Sequence, residues 1–210
     1  MPPPNQQRRN QLADAAIALL AESGVHGVTH RTVERHAGLP AGTASNYFRS
    51  REALLVACAA RIGELHYADM DDIARAEDPG ASGTQERATE LIAQSLLRAA
   101  GEHRDRYLAI FELRMEGLRR PAVAAALDEL FRRSQAFTAG HHAALRLAIA
   151  PEAVPVLLML YGGALFTLVT GPAGTVDPAL ARELAAGIVR AALPGKPVDM
   201  NPARGSTVGP

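Results

Sequence analysis

The sequence predicts an all-α fold, and three observations carry that expectation. Alanine and leucine dominate, β-branched residues are sparse, and aromatic residues make up only 4% of the chain. That composition favours helices over strands. Hydrophobic residues, 48% of the 210, fall into stripes at helical spacing. Gly- and Pro-bearing stretches break the stripes at intervals suited to about nine helices.

Prolines at 2–4 form a leader expected to be disordered. Over 5–22, Leu12, Ala16, Leu19 and Leu20 share one helical face, and Gly24 is a suitable stop. Thr29 can cap a short helix over 30–37, with Val33 and Ala37 inward and Gly38 ending it. Leu39 and Pro40 turn the chain into a second short helix over 41–47. Ser50 can cap a long helix over 51–76, with Leu54, Leu55, Cys58, Ile62 and Leu65 as its buried stripe. "EDPGASGTQ" over 77–85 reads as a linker. Helices over 84–100, 103–118 and 121–149 follow, the last expected to bend or break near Gly140. Pro121 suits a first helical turn. Helices over 152–170 and 178–193 complete the set, separated by "GPAGTVDP", and the Pro- and Gly-rich tail over 194–210 is expected to be disordered.

The charge is balanced overall, which excludes a globally basic nucleic-acid coat protein. It is uneven along the chain. Residues 1–51 hold six arginines against three acids, and the remainder holds sixteen basic and nineteen acidic residues. A mildly basic end on an acidic body is a weak sign of nucleic-acid binding. The single cysteine, Cys58, permits no intrachain disulfide and fits a reducing, cytoplasmic setting; it reads as a small buried hydrophobe. "MPPPNQQRRNQ" has no apolar core of a secretory signal.

The stretch over 153–171 has the length of a membrane span and no charge. Its Gly162-Gly163 pair and the absence of flanking Lys/Arg clusters favour a helix buried in a core or an oligomer interface. No catalytic motif is present: no Glu-x-x-His, no Gly-rich phosphate loop and no CxxC. Glu86/Glu90 and Glu112/Glu116 read as solvated faces, and His26, His30 and His36 lack a zinc spacing. Neither an enzyme nor a bound metal or cofactor is expected.

The chemistry-bearing segment is "GLPAGTASNYFRSREAL", 38–54. Two short helices joined by Gly38-Leu39-Pro40 make a helix-turn-helix unit, whose second helix can enter a DNA major groove. Small Ala41, Gly42 and Ala44 permit close approach. Thr43, Ser45 and Asn46 can hydrogen-bond bases or phosphates, Tyr47 can donate to a phosphate, and Phe48 can lock the helix to the core. Helical hairpins with a glycine in the turn also serve as plain corners, so geometry alone leaves both uses open.

"GVTHRTVERHAGLPAGTASNYFRSREALL", 27–55, resembles the DNA-binding segment of the TetR family of transcriptional regulators. The resemblance lies in Gly27-Val28-Thr29, Ala37-Gly38, Gly42-Thr43, Tyr47-Phe48 and Arg51. It implies that Thr29, Thr43, Tyr47 and Arg51 touch phosphates. His30 and Arg31 would occupy DNA-contact positions, and Ala41, Gly42, Ser45 and Asn46 would line the groove. Three positions depart from the family's habit: Pro40 stands for a Ser, Ala44-Ser45 for a Leu-Tyr pair, and Arg51 for a Lys.

The resemblance further implies a helix-turn-helix domain over 1–50, a helical effector-binding and dimerisation domain over 51–193 and a tail over 194–210. Pocket candidates are His66, Met70, Tyr107, Phe111, Arg114, Met115, Phe137, His141 and Tyr161. Arg114 is expected to be buried and to need Glu112, Glu116 or an anionic ligand. Leu157, Leu158, Gly162, Gly163, Leu165 and Phe166 are expected in a homodimer interface. The functional expectation is a repressor that releases a palindromic operator on double-stranded DNA when a small molecule binds. The alternative is a helical interaction module that never meets DNA or, less favoured, a small helical metalloenzyme.

Overall fold

The computed structural model describes residues 4–76, 85–147, 149–172 and 176–193, with the backbone alone for 4 and 70–76. Its described residues form nine α-helices, one 3₁₀ turn and no strand. They are α1 (Pro4–Gly27), α2 (His30–His36), α3 (Thr43–Tyr47), α4 (Arg51–Ala76), α5 (Gln85–Ala100), α6 (Arg104–Gly117), α7 (Pro121–Ala144), α8 (Val154–Thr170) and α9 (Pro178–Ala192). The 3₁₀ turn, Pro151–Ala153, leads into α8. The expected linker over 77–84 and the tail over 194–210 lie outside the described residues.

Two hydrophobic cores organise the chain. The first gathers Leu12, Leu20, Val33 and Phe48 around the start of α4, where Leu54, Leu55, Cys58 and Ile62 are fully buried. It continues into Leu113 of α6 and Val123, Leu127 and Leu130 of α7. The core of the amino-terminal unit therefore crosses residue 50, and α1 packs principally on α6. The second core joins α5, α8 and α9 through Leu96, Leu157, Leu165, Val169 and Val189.

The helix-turn-helix geometry follows from local chemistry. Thr29 and Thr32 form a capping box: the Thr29 hydroxyl accepts from Thr32 N at 3.1 Å, and Thr32 Oγ1 accepts from Thr29 N at 2.9 Å. Gly38, at φ 65°, ends α2 in a Schellman turn, with Leu39 N donating to Glu34 O at 2.8 Å. Gly42, at φ 88°, sits just before α3. That left-handed residue delays the recognition helix to Thr43, two positions after the start expected from sequence. Phe48 is 1% exposed, and its burial stabilises the unit by about 2–3 kcal/mol.

Two other expectations are corrected. α1 carries a kink at Gly24 (φ 65°), so the glycine redirects the helix and one further turn follows it. α7 continues unbroken through Gly140 and stops at Ala144. A single glycine costs a helix only about 1 kcal/mol, which packing overrides. The stop lies at Arg146 (φ 53°), where Leu147 N donates to His142 O and Arg146 N to Ala143 O. This is the same Schellman turn as at Gly38, formed by an arginine.

Candidate nucleic-acid interface and internal cavity

The α2–α3 unit exposes Thr29, Arg31, Ala41, Gly42, Ser45 and Asn46, while His30, Thr43, Tyr47 and Arg51 are half-buried. The side chains of Arg31 and Asn46 make no hydrogen bond to a described residue, so their polar groups face solvent. Thr43 Oγ1 donates to Pro40 O at 2.6 Å, and Ser45 Oγ donates to Gly42 O at 2.9 Å. Both hydroxyls stabilise the start of α3.

Several groups fix α3 rather than present it. The buried Glu34 carboxylate accepts from Ala44 N at 2.7 Å and so caps α3 from α2. His30 Nε2 donates to Phe48 O at 2.8 Å. Arg9 lies 4.6 Å over the Phe48 ring and donates to Tyr47 O. Glu34 and Arg9 escaped sequence reading because their partners are a backbone amide and a ring face, which leave no motif.

Arg51 also turns inward. Its Nε donates to Val28 O at 2.8 Å, and its Nη2 donates to Val25 O. The sequence placed this guanidinium on a phosphate; the structure uses it to tie α4 to the α1–α2 connection. On the other side of that connection, Glu112 of α6 accepts from Val25 N at 3.1 Å. Gly24 makes room for it, since a Cβ there would stand 3.2 Å from Glu112 Oε2.

A cavity of about 470 Å³ lies among α4, α5, α6, α7 and α8. Six of the nine candidates line it: His66, Tyr107, Phe111, Arg114, His141 and Tyr161. Tyr161 shares a 2.8 Å hydrogen bond with Ser95, and burial raises the pKa of its phenol. Burial pushes Tyr107 up to about 12. His66 is lowered by burial and by the nearby Arg106 charge. His142 is pushed down to about 4 by burial, with His141 adding to it, so its ring is neutral at pH 7.

Two candidates do not reach the cavity. Met115 is solvent-exposed, and Phe137 stacks between Tyr67 and His141. The Met70 side chain lies outside the described residues. Arg114 is an exposed residue at the mouth rather than a buried cation, 4.7 Å over the Phe131 ring. Glu112 and Glu116 are both engaged elsewhere, the latter with Arg120. Sequence reading also missed Phe131, Thr138 and His142. The inward stripe Val123, Leu127, Leu130, Thr138 and His142 recurs at helical spacing, and following it past Leu130 finds the last two.

The interface candidates divide in the same way. Leu157 and Leu165 are buried in the second core, and together with Leu158 and Gly162 they line the cavity. Gly163 is exposed beside Val156 and Leu160; Phe166, half exposed, packs edge-on against Phe111 at 4.9 Å, and exposed Met159 stands at the rim of the cavity. α8 is apolar all round, so its pattern cannot tell a core face from an outer one.

Comparison with known proteins bears on both ends of the molecule. Residues 12–58 match the model of the bacterial regulatory proteins of the tetR family, and residues 83–195 match the tetracyclin repressor-like carboxy-terminal domain. The chain belongs to the TetR family. The HTH-type transcriptional regulator BetI of Escherichia coli is 42% identical over 50 residues, 24% of this chain, and the chain spans only 26% of that relative's length. The transcriptional regulator SCO7518 of Streptomyces coelicolor A3(2) superposes over 87% of this chain and 98% of its own, at TM-score 0.65 and 25% identity. The multidrug binding protein EbrR in complex with ethidium covers 86% and 98%, at TM-score 0.61 and 27% identity. The TetR-family match thus takes in the α2–α3 unit and, of the helices that enclose the cavity, α5 to α8.

Proposed function

We propose that this TetR-family protein is a ligand-responsive transcriptional repressor. It binds a palindromic operator as a homodimer and releases it when a small molecule fills the cavity. The observation that carries this reading is the double role of α6. Tyr107, Ile110, Phe111 and Arg114 line the cavity, while Glu112 on the same helix holds the α1–α2 connection. A ligand that shifts α6 acts directly on the segment that sets α2 and α3. Its effect on operator affinity equals its differential affinity for the two arrangements; tenfold corresponds to about 1.4 kcal/mol. EbrR, seen with ethidium, proflavin and malachite green, supports small-molecule binding by this fold.

The same reading assigns Arg31, Asn46, Ser45, Ala41 and Gly42 to the groove and Thr29, Thr43 and Tyr47 to phosphates. His30 and Arg51 position the unit. The helix-turn-helix domain over 1–50 is completed by the start of α4, and 51–193 is the effector and dimerisation domain. The outer face of α8, with Met159, Leu160, Gly163 and Phe166, is the dimer surface together with Leu180 and Leu184 of α9. This accounts for an α8 segment apolar enough to cross a bilayer yet only partly buried in the subunit. The protein acts in the cytoplasm, where its operator is, and regulates rather than catalyses.

Binding to a random-sequence duplex tests the reading against a plain interaction module. Affinity should fall steeply with salt, with a logarithmic slope of about −0.9 per phosphate contacted. Absent or salt-insensitive binding would contradict it.

A further inference from the structure

The interior of the cavity offers a ligand no counter-charge. Among the described residues its wall has no Asp, Glu or Lys, and its one arginine, Arg114, is exposed at the mouth over the Phe131 ring. Glu112 and Glu116 of α6 are engaged by Val25 N and Arg120. Titratable groups of the wall stay neutral at pH 7: burial lowers His66, pushes His142 down to about 4 and raises Tyr107 to about 12. A charged group of either sign would give up its hydration on entry and find nothing to replace it.

What the wall does offer is hydroxyls. Ser95 of α5 and Tyr161 of α8 share a 2.8 Å hydrogen bond. On α7, Thr138 is 6% exposed, and its side chain makes no hydrogen bond to a described residue. Its hydroxyl keeps accessible surface, whereas His142 Nδ1, one turn further on, is sealed. Thr138 lines the cavity, so that surface opens into it. A hydroxyl placed in this way has a proton to donate and no acceptor among the described residues. The rest of the wall is largely apolar, including Ile92, Leu130 and Leu158.

We infer that the cavity takes an uncharged, mostly apolar molecule whose carbonyl oxygen accepts a hydrogen bond from the Thr138 hydroxyl. The inference rests on the reading of this cavity as the effector site. The volume, about 470 Å³, suits a body of one or two rings or a medium acyl chain.

The test is calorimetric titration of the full chain with two matched sets of probes, at about pH 8, where histidines are neutral. Octanamide is compared with octanoate and octylammonium, and 2-naphthamide with 2-naphthoate and 2-naphthylmethylammonium. In each set that binds, the amide should be tighter than both charged members by about tenfold or more. Thr138→Val, of nearly the same shape, should weaken the amides by about fivefold and leave naphthalene, which has no hydrogen-bonding group, within about twofold. Thr138→Ser keeps the hydroxyl and should hold the amides near wild type. The inference is overturned if a charged member matches or exceeds its amide, if neither amide binds, or if Thr138→Val leaves the amides unmoved or weakens naphthalene equally. Operator selection with the unliganded protein reports on the regulator separately. A recovered operator with a cavity that prefers a charged member overturns the neutral ligand and leaves the regulator standing. An amide-preferring cavity with no recovered operator does the reverse.

Discussion

The carboxylate of Glu112 accepts the backbone N–H of Val25 at 3.1 Å, across 87 residues of sequence. One partner stands beside the cavity-lining Phe111, and the other opens the connection to α2. Glu112→Ala leaves that amide without its acceptor at a cost of about 1–3 kcal/mol, whereas Glu112→Gln keeps an acceptor. Hydrogen exchange at Val25 should accelerate about tenfold or more in the Ala variant and stay near wild type in Gln. Equal exchange in all three proteins would remove Glu112 from the coupling.

Arg51 holds two carbonyls of the same connection. Arg51→Ala should therefore lower stability by about 2 kcal/mol. The salt slope of DNA binding should stay unchanged, because the guanidinium is held by those two carbonyls. A phosphate contact would give the reverse: a slope reduced by about one and little loss of stability. Thermal melting and a salt titration on the same variant separate the two.

Gly163 is exposed, and a Cβ built on it meets nothing within 4 Å in its own subunit. Gly163→Arg should leave the subunit folded and break the dimer, giving monomers with poor operator affinity. Sedimentation showing a dimer of unchanged stability would place the interface elsewhere.

The pH dependence of stability has a definite sign at His142. Burial first, and the His141 charge second, push its pKa from the ordinary 6.5 down to about 4. The unfolded chain takes up a proton in that interval that the folded ring refuses. Stability is thus full above pH 6.5 and falls as the pH drops toward about 4. The loss is about 2 kcal/mol after allowance for the ring's access to the cavity. His66 is lowered in the same direction, so His142→Leu should flatten the pH profile of melting without abolishing it. A profile unchanged by the substitution would show that His142 titrates normally.

Much of this molecule is legible in its sequence. Helix existence followed from apolar periodicity, and Gly38 and Phe48 did what their chemistry required. The apolar stretch of α8 was recognised, but not the phase that sends Leu165 inward and Leu160 outward, because no polar residue marks a side. The family resemblance put Arg51 on a phosphate; its carbonyl partners, Val28 O and Val25 O, are met only on folding. Glu34 and Glu112 were read as ordinary surface acids or passed over, since both bond backbone amides brought close only by folding. At the cavity, aromatic residues with polar tips were found by type, while His142 required the α7 stripe to be followed to its end.

The central claim, that the exposed residues of α3 read DNA in a symmetric pair, is tested most directly by selecting bound duplexes from a random pool. The expected result is a palindromic consensus whose half-sites lie about 34–36 Å apart. Asn46→Ala should relax one position per half-site at a cost of about 1–3 kcal/mol. Recovery of no consensus, or of a consensus without two-fold symmetry, would contradict it.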